Sequence, residues 1–221
     1  MVTSMKFYFG DIVPYLPSML QALGCNFIVA TVSLIVGIFV GLVTYLAKSG
    51  KTKAFRIFAN CYIELIRNTP LLVQLYLIYF GIAQMGIDIS PMRSTMIAMI
   101  LNSGAYIAEI MRSGFSSVSP GTIEAGHALG MSSWQVFTLV RLKPAFASAF
   151  PALTNQYVLM FLGSTVASTI SLNELLYTTL YIESVTARTP EVFLTTGLLF
   201  YAASFMIIRI IHKVDKHVFT W

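Results

Sequence analysis

Long apolar runs broken by short polar segments set the rhythm of this chain. A helix needs roughly 20 mostly apolar residues to cross a bilayer. Five stretches suit that length: about 20–46, 58–82, 91–111, 145–170 and 190–211. One intervening segment, 112–144, is longer and more polar than the others. No repeat, low-complexity tract or soluble domain interrupts the series. The pattern predicts an all-α integral membrane helical bundle. Five transmembrane helices form a single domain over 1–221, with a core of about 17–214 and one substantial loop outside the lipid.

Composition fixes the solvent. Of 221 residues, 57% are hydrophobic and 10% charged, with a mean hydropathy of +0.77. A soluble domain carries about 25% charged residues, so this chain has too few to clothe a water-exposed surface. Its formal charge is +5, spread over short loops beside apolar runs. That distribution reports membrane orientation, and no basic tract interleaved with aromatics points to nucleic acid. Cys25 and Cys61 lie in or beside apolar stretches and are expected to be small buried residues, not a disulfide. Residues 1–10 lack the pattern of a removable signal peptide. The first run is therefore expected to be both targeting signal and permanent span.

The loop cations orient the bundle. With the N-terminus outside, inner segments hold Lys48, Lys51, Lys53, Arg56, Arg112, Arg141, Lys143, Arg209, Lys213 and Lys216, and outer segments only Lys6, Arg93 and Arg188. Positive charge gathers on the cytoplasmic side, which puts the C-terminus and the 112–144 loop there. Five crossings without a repeat are few for a complete transporter, since many build a midplane site from two repeats. A second subunit is expected.

Several short motifs dissolve on inspection. Ser49-Gly50-Lys51-Thr52 imitates the end of a phosphate-binding loop, but the required glycine five positions before Gly50 is Tyr45. No ATP site of the chain's own is visible. His127, His212 and His217 are scattered, so no metal site is expected. No nucleophile motif appears, and no catalytic residue is expected. Gly37 and Gly41 form a small-residue step expected to pack within the subunit. Glu64 with Arg67, and Glu109 with Arg112, are spaced to pair on a helix face.

The polar loop is more specific. Ser119-Pro120 opens a helix with a capping hydroxyl and a proline at the first position. It runs through Ile123 to Leu129, and Gly130 supplies a left-handed stop. Ser132 and Gln135 have capping-box spacing for a second helix carrying Trp134, Phe137 and Val140 and ending before Pro144. Two short helices with a glycine corner make a compact knob. The plainer alternative is an amphipathic hairpin lying on lipid.

Glu124-Ala125-Gly126-x-x-x-Gly130, with Val140 and Leu142 beyond it, resembles the coupling-loop signature of binding-protein-dependent ABC import permeases. Flanking stretches are similar to the polar amino-acid branch of that family. They are Glu64-Leu65-Ile66-Arg67-Asn68-Thr69-Pro70-Leu71-Leu72-Val73-Gln74-Leu75, Leu101-Asn102-Ser103-Gly104-Ala105-Tyr106-Ile107-Ala108-Glu109-Ile110, and Leu153-Thr154-Asn155-Gln156. The likeness covers most of the chain from about Pro17. It departs at Gly126, where alanine is usual, and at Lys143, with the common proline one place later at Pro144. Leu162, Gly163, Ser164 and Thr165 stand where the family commonly has Lys-Asp before Thr-Ser.

The resemblance implies a multi-pass subunit of the bacterial plasma (inner) membrane, non-catalytic, working by alternating access. A cytoplasmic ABC ATPase dimer would use ATP and Mg, with no cofactor on this chain. A second homologous permease would share the path, and the missing Lys-Asp pair favours a heterodimer. A periplasmic or lipid-anchored solute-binding protein would deliver a polar amino acid. Glu124, Ala125, Gly126, Gly130, Trp134 and Leu142 would form the ATPase-coupling loop. Polar residues within the spans, Gln74, Asn102, Gln156, Ser164 and Thr165, are candidates for the substrate path. A stand-alone channel or proton-coupled carrier would instead show convergent acids or a selectivity ring, and needs no knob.

Overall fold

The first apolar run folds as one unbroken helix, α1 (Leu16–Ser49), with proline in its first turn and an extended Gly50 after its last. The computed structural model describes residues 7–218, with side chains through Lys213. Lys6, and the side chains of Lys216 and His217, lie outside them. Among the described residues all regular structure is helical.

The most extensive pairing is between α1 and α4 (Pro91–Ser116). Glycine permits it. A Cβ on Gly37 would lie 1.9 Å from Ser103 Oγ, and one on Gly41 2.6 Å from Ile107 Cγ2. The small-residue step thus packs inside the subunit, as its spacing suggests. Gly37 meets Ser103, Gly41 meets Ile107 and Lys48 meets Glu109, so the two helices run parallel. Parallel neighbours require a segment between them that crosses back.

That return is broken. The sequence pattern reads 58–82 as one span, but the structure has α2 (Lys53–Arg67) and α3 (Leu71–Gln84) meeting at 104°. Pro70 is the cause: it has no N–H and pushes Thr69 away from helical geometry. The chain restarts with Pro70 as the N-cap of α3. Four helices are long and apolar enough to span the membrane alone, and the bent pair makes the fifth crossing. On α2, Lys53, Arg56, Asn60, Glu64 and Arg67 recur every three or four residues as one polar stripe, while Ala59, Ile63 and Ile66 are buried. Both cysteines are free; Cys25 is half-buried, but Cys61 is exposed on α2, contrary to expectation.

The 112–144 region differs from its sequence reading at three points. Helix α4 carries Arg112 and runs on to Ser116. Next comes α5 (Pro120–Ala128), where Ser119 is the N-cap residue but its hydroxyl makes no capping bond. Pro120 in the first turn marks the start instead. The corner itself is as expected. Gly130 has φ +79, and a Schellman closure is made by Met131 N–H to Gly126 O (3.2 Å) and Gly130 N–H to His127 O (3.0 Å). Ser132 and Gln135 form their capping box.

The second short helix does not stop before Pro144. A short α6 (Ser133–Gln135) passes into a π-helical stretch, Val136–Arg141, and then directly into α7 (Leu142–Gly163). A proline ring crowds the carbonyl four residues earlier and cannot donate to it. The wider π turn, in which Leu142 N–H bonds Phe137 O, relieves that conflict at Val140 and lets the helix continue. The fourth span therefore includes half of the knob.

A seven-residue 3-10 stretch, Ser164–Ile170, ends this span. Helix α8 (Leu175–Thr186) leads to α9 (Thr189–Val218). The α4 and α7 helices are antiparallel, with Gly114 against Ala145 at one end and Met99 near Met160 farther along. The α7 and α9 helices are antiparallel too: Phe161 meets Phe200 edge-on at 5.7 Å, and Thr154 neighbours Ile208 and Ile211. The start of α9 is tied to the segment before α1 by Tyr8 N–H to Glu191 (3.0 Å) and by Arg188 to Asp11 (3.1 Å).

Candidate functional site

The α2–α3 corner opens one side of a groove whose other walls are α4 and α7. Its volume is about 470 Å³ and its lining includes Arg67, Asn68, Thr69, Asn102, Tyr106 and Gln156, with Met99, Leu159 and Met160. Gln74 stands one layer behind. Its amide nitrogen donates to Ile66 O (2.8 Å), Thr69 O (3.0 Å) and Thr69 Oγ1 (2.9 Å), which staples the corner shut. Its amide oxygen accepts from Asn102 Nδ2 at 3.1 Å. Gln156 is 6% exposed, and among the described residues no hydrogen-bond partner satisfies its amide.

Arg67 and Tyr106 also line a second cavity of about 330 Å³, beside Glu109, Arg112 and Ser148. Arg67 lies over the Tyr106 ring, 5.2 Å from its centre. Glu109 is the hub of this region. It accepts from Lys48 (2.5 Å) and Arg112 (2.8 Å), with Arg67 Nη1 farther off at 4.0 Å. The expected Glu109–Arg112 pair forms, whereas Arg67 turns toward Glu109 and away from Glu64.

The knob is the other constellation. A Cβ on Gly126 would lie 3.2 Å from Val136 Cγ2 and 3.5 Å from Val140 Cγ2, so α5 folds closely onto the π stretch. Glu124 and Ala125 are exposed and Leu142 is half-buried. At the tip, Leu129 is 82% and Trp134 72% exposed. Behind Trp134 runs a series of stacked rings: Trp134–Phe137 (6.0 Å), Phe137–Phe115 (5.9 Å) and Phe115–Tyr45 (5.1 Å). Arg141 lies over Phe115, 5.4 Å from its centre. The tip is thus linked by packed rings to α4 and α1.

Residues 33–219 match the family described as binding-protein-dependent transport system inner membrane component. The chain belongs to that family. It is 33% identical over 210 residues to the nopaline transport system permease protein NocM of Agrobacterium fabrum, covering 90% of this chain and 87% of that one. It is 37% identical over 160 residues to the probable amino-acid ABC transporter permease protein YckA of Bacillus subtilis, covering 72% and 71%. A solved amino acid ABC transporter with histidines superposes with a TM-score of 0.90 at 31% identity, over 96% of this chain and 100% of that one.

The permease therefore has two candidate regions, and its path candidates divide between them and elsewhere. Asn102 and Gln156 line the groove and Gln74 braces it. Ser164 is drawn into a separate buried network. Asn26 Nδ2 donates to Ser164 Oγ (2.8 Å) and Glu174 Oε2 (2.9 Å), and Leu175 N–H donates to Asn26 Oδ1 (3.1 Å). Glu174 also caps α8 through Leu176 N–H (3.0 Å) and Tyr177 N–H (2.9 Å). Thr165 donates to Leu162 O at 2.8 Å, one turn back on its own helix. Sequence reading of the permease missed Arg67 and Tyr106 as groove residues, although the α2 polar stripe ending at Arg67 was there to be seen. It also missed the Asn26–Glu174 clamp, which joins residues 148 apart and leaves no local pattern.

Proposed function

We propose that this chain is the membrane-spanning permease subunit of an ATP-driven amino-acid importer, with its N-terminus outside and its C-terminus in the cytoplasm. The observation that carries the reading is the braced knob between Pro120 and Leu142. Leu129 and Trp134 leave large apolar surface bare on a polar loop, which fits a partner protein better than water. The ring series behind Trp134 offers a stiff route from that surface to α1 and α4. An ABC ATPase dimer, which binds ATP and Mg, would engage Glu124, Ala125, Gly130 and Trp134, with buried Gly126 letting α5 pack closely behind them. Its closure would move α7 directly, because the knob's second half is the start of that helix.

The named relatives favour an amino-acid substrate, delivered by a periplasmic or lipid-anchored solute-binding protein. Asn102 and Gln156 would meet it in the groove, Gln74 would hold the corner and Thr165 would line the path farther out, with Ser164 held in the Asn26 network behind it. A second, non-identical permease subunit would close the groove, since Leu162 and Gly163 stand where the family resemblance implies a charged pair.

Differentially tagged copies of the chain, expressed with the candidate partners, test the assembly. A co-purifying ATPase whose hydrolysis rises with the loaded binding protein is expected. Amino-acid uptake by proteoliposomes containing this chain and no ATPase would instead establish a stand-alone channel or carrier. Two tags recovered in one active four-subunit core would refute the heterodimer alone.

A further inference from the structure

We infer that the groove selects an uncharged polar amino acid, holding its carboxylate on Arg67, its α-ammonium on the Asn102 amide oxygen and its polar side chain on the Gln156 amide. This rests on the permease reading above and adds the charge class of the cargo and the residue that enforces it.

Three observations carry the inference. Arg67 is the one charged residue among those lining the groove. Its charge is poorly compensated, because Glu109 is already held at 2.5 Å by Lys48 and at 2.8 Å by Arg112, against 4.0 Å for Arg67. Three cations thus surround one carboxylate, and the local field is positive. The Arg67 side chain is 42% exposed, and its fork of N–H donors matches a carboxylate.

Gln156 is the second. The residue is 6% exposed and lines the groove, and with no partner among the described residues its amide keeps both its donors and its acceptor for whatever fills the groove. A ligand amide or hydroxyl can use them. Asn102 spends one N–H on Gln74 and retains an oxygen able to accept from the α-ammonium. The third observation is that the walls this chain gives the groove offer neutral oxygens to a cation and no carboxylate. A lysine- or arginine-like side chain would give up its hydration beside Arg67 with nothing to replace it. An acidic side chain would find one guanidinium for two carboxylates, leaving one of them on amides alone.

The test uses the assembled permease–ATPase complex in lipid nanodiscs, without binding protein, so that only the membrane site is read. Equilibrium binding of radiolabelled L-glutamine is measured with L-arginine, L-glutamate and the α-amide of L-glutamine as competitors. L-Glutamine should compete at least about tenfold better than each of them, a difference of about 1.4 kcal/mol. Arg67→Gln should lose about tenfold or more in L-glutamine binding and narrow the glutamine-to-arginine ratio, with Arg67→Lys recovering part of it. Gln156→Leu should weaken L-glutamine while keeping the preference for a free carboxylate. If Arg67→Gln fails to assemble, the wild-type competitor ratios and Gln156→Leu decide. L-Arginine or L-glutamate binding as well as L-glutamine, a glutamine α-amide that competes equally, or no binding of any of these probes overturns the inference. A complex that imports L-arginine under ATP would overturn it while leaving the importer reading intact; failure of any ATPase to associate would strike the importer reading itself.

Discussion

Gly130 turns the knob at φ +79, and a Cβ there would meet nothing within 4 Å. The cost of replacing it is therefore backbone cost alone. An L-residue in the left-handed region costs roughly 1–2 kcal/mol, and a β-branched one tolerates that region worst. Gly130→Val thus acts at the corner without touching any packing. The nine-residue α5 cannot offset such a loss from its own propensity, since isolated helices shorter than about 12 residues are marginal. The ratio of correctly folded to unfolded knob should fall by about tenfold for each 1.4 kcal/mol. The spans should be unaffected, because the stacked rings, the α1–α4 seam and the membrane insertion lie elsewhere. The assay is ATP-dependent uptake in proteoliposomes, normalised to permease abundance, with ATP hydrolysis measured with and without loaded binding protein. Uptake should drop about tenfold or more, with hydrolysis either independent of the binding protein or absent because the ATPase has dissociated. Gly126→Ala is the control. Its Cβ would meet Val136 Cγ2 at 3.2 Å, a small adjustment opposed by the gain of roughly 0.5–1 kcal/mol for alanine over glycine within a helix, so uptake should stay near wild type. Normal uptake and coupling in Gly130→Val at wild-type abundance would refute the reasoning and favour a hairpin idle on the lipid surface.

Three further outcomes are expected. Glu109→Gln leaves Lys48, Arg112 and Arg67 facing one another around a group only 16% exposed; it should lower stability by about 1–2 kcal/mol after allowance for solvent screening, seen as a lower melting temperature in detergent, and an unchanged melt would deny the hub its structural role. Gly37→Leu cannot keep the α1–α4 seam, given a Cβ position 1.9 Å from Ser103 Oγ; overpacking of at least about 1–3 kcal/mol should appear as lost abundance, and wild-type yield would mean that the two helices are not so close. Cysteines placed at Gly86 or Ser184 should react with an impermeant thiol reagent in intact cells, and those at Ser49 or Ser133 only after permeabilisation; labelling of Ser133 from outside would reverse the orientation.

How far the sequence discloses this fold depends on the reach of each interaction. Apolar length and loop charge are local and abundant, so the spans are legible, and so are the Gly130 corner and the Ser132–Gln135 box, each closed within a few residues. Pro70 and Pro144 show where local rules run out. Pro70 lies inside an apolar run and breaks a span in two, while Pro144, at the end of the polar segment, is absorbed by a π turn and the helix continues. Tertiary surroundings separate the two cases. At Pro70, the Gln74 amide bonds two freed carbonyls, Ile66 O and Thr69 O, and so stabilises the break. Before Pro144, α5 packs through Gly126 onto Val136 and Val140, which holds the widened helix in place. The same logic governs the candidate site. Polar residues within spans can be identified as a class, but only packing separates Ser164, whose hydroxyl is bound by Asn26, from Gln156, whose amide is left open. Arg67 illustrates the limit most clearly. Its spacing from Glu64 suggests a helix-face pair, and its charge instead faces the groove because α4 brings Tyr106 and an already occupied Glu109 alongside it. A side chain acquires its role here from which partners reach it first. A buried group that others have already satisfied holds the bundle together, and one left unsatisfied at a cavity wall is the group with something to offer a passing solute.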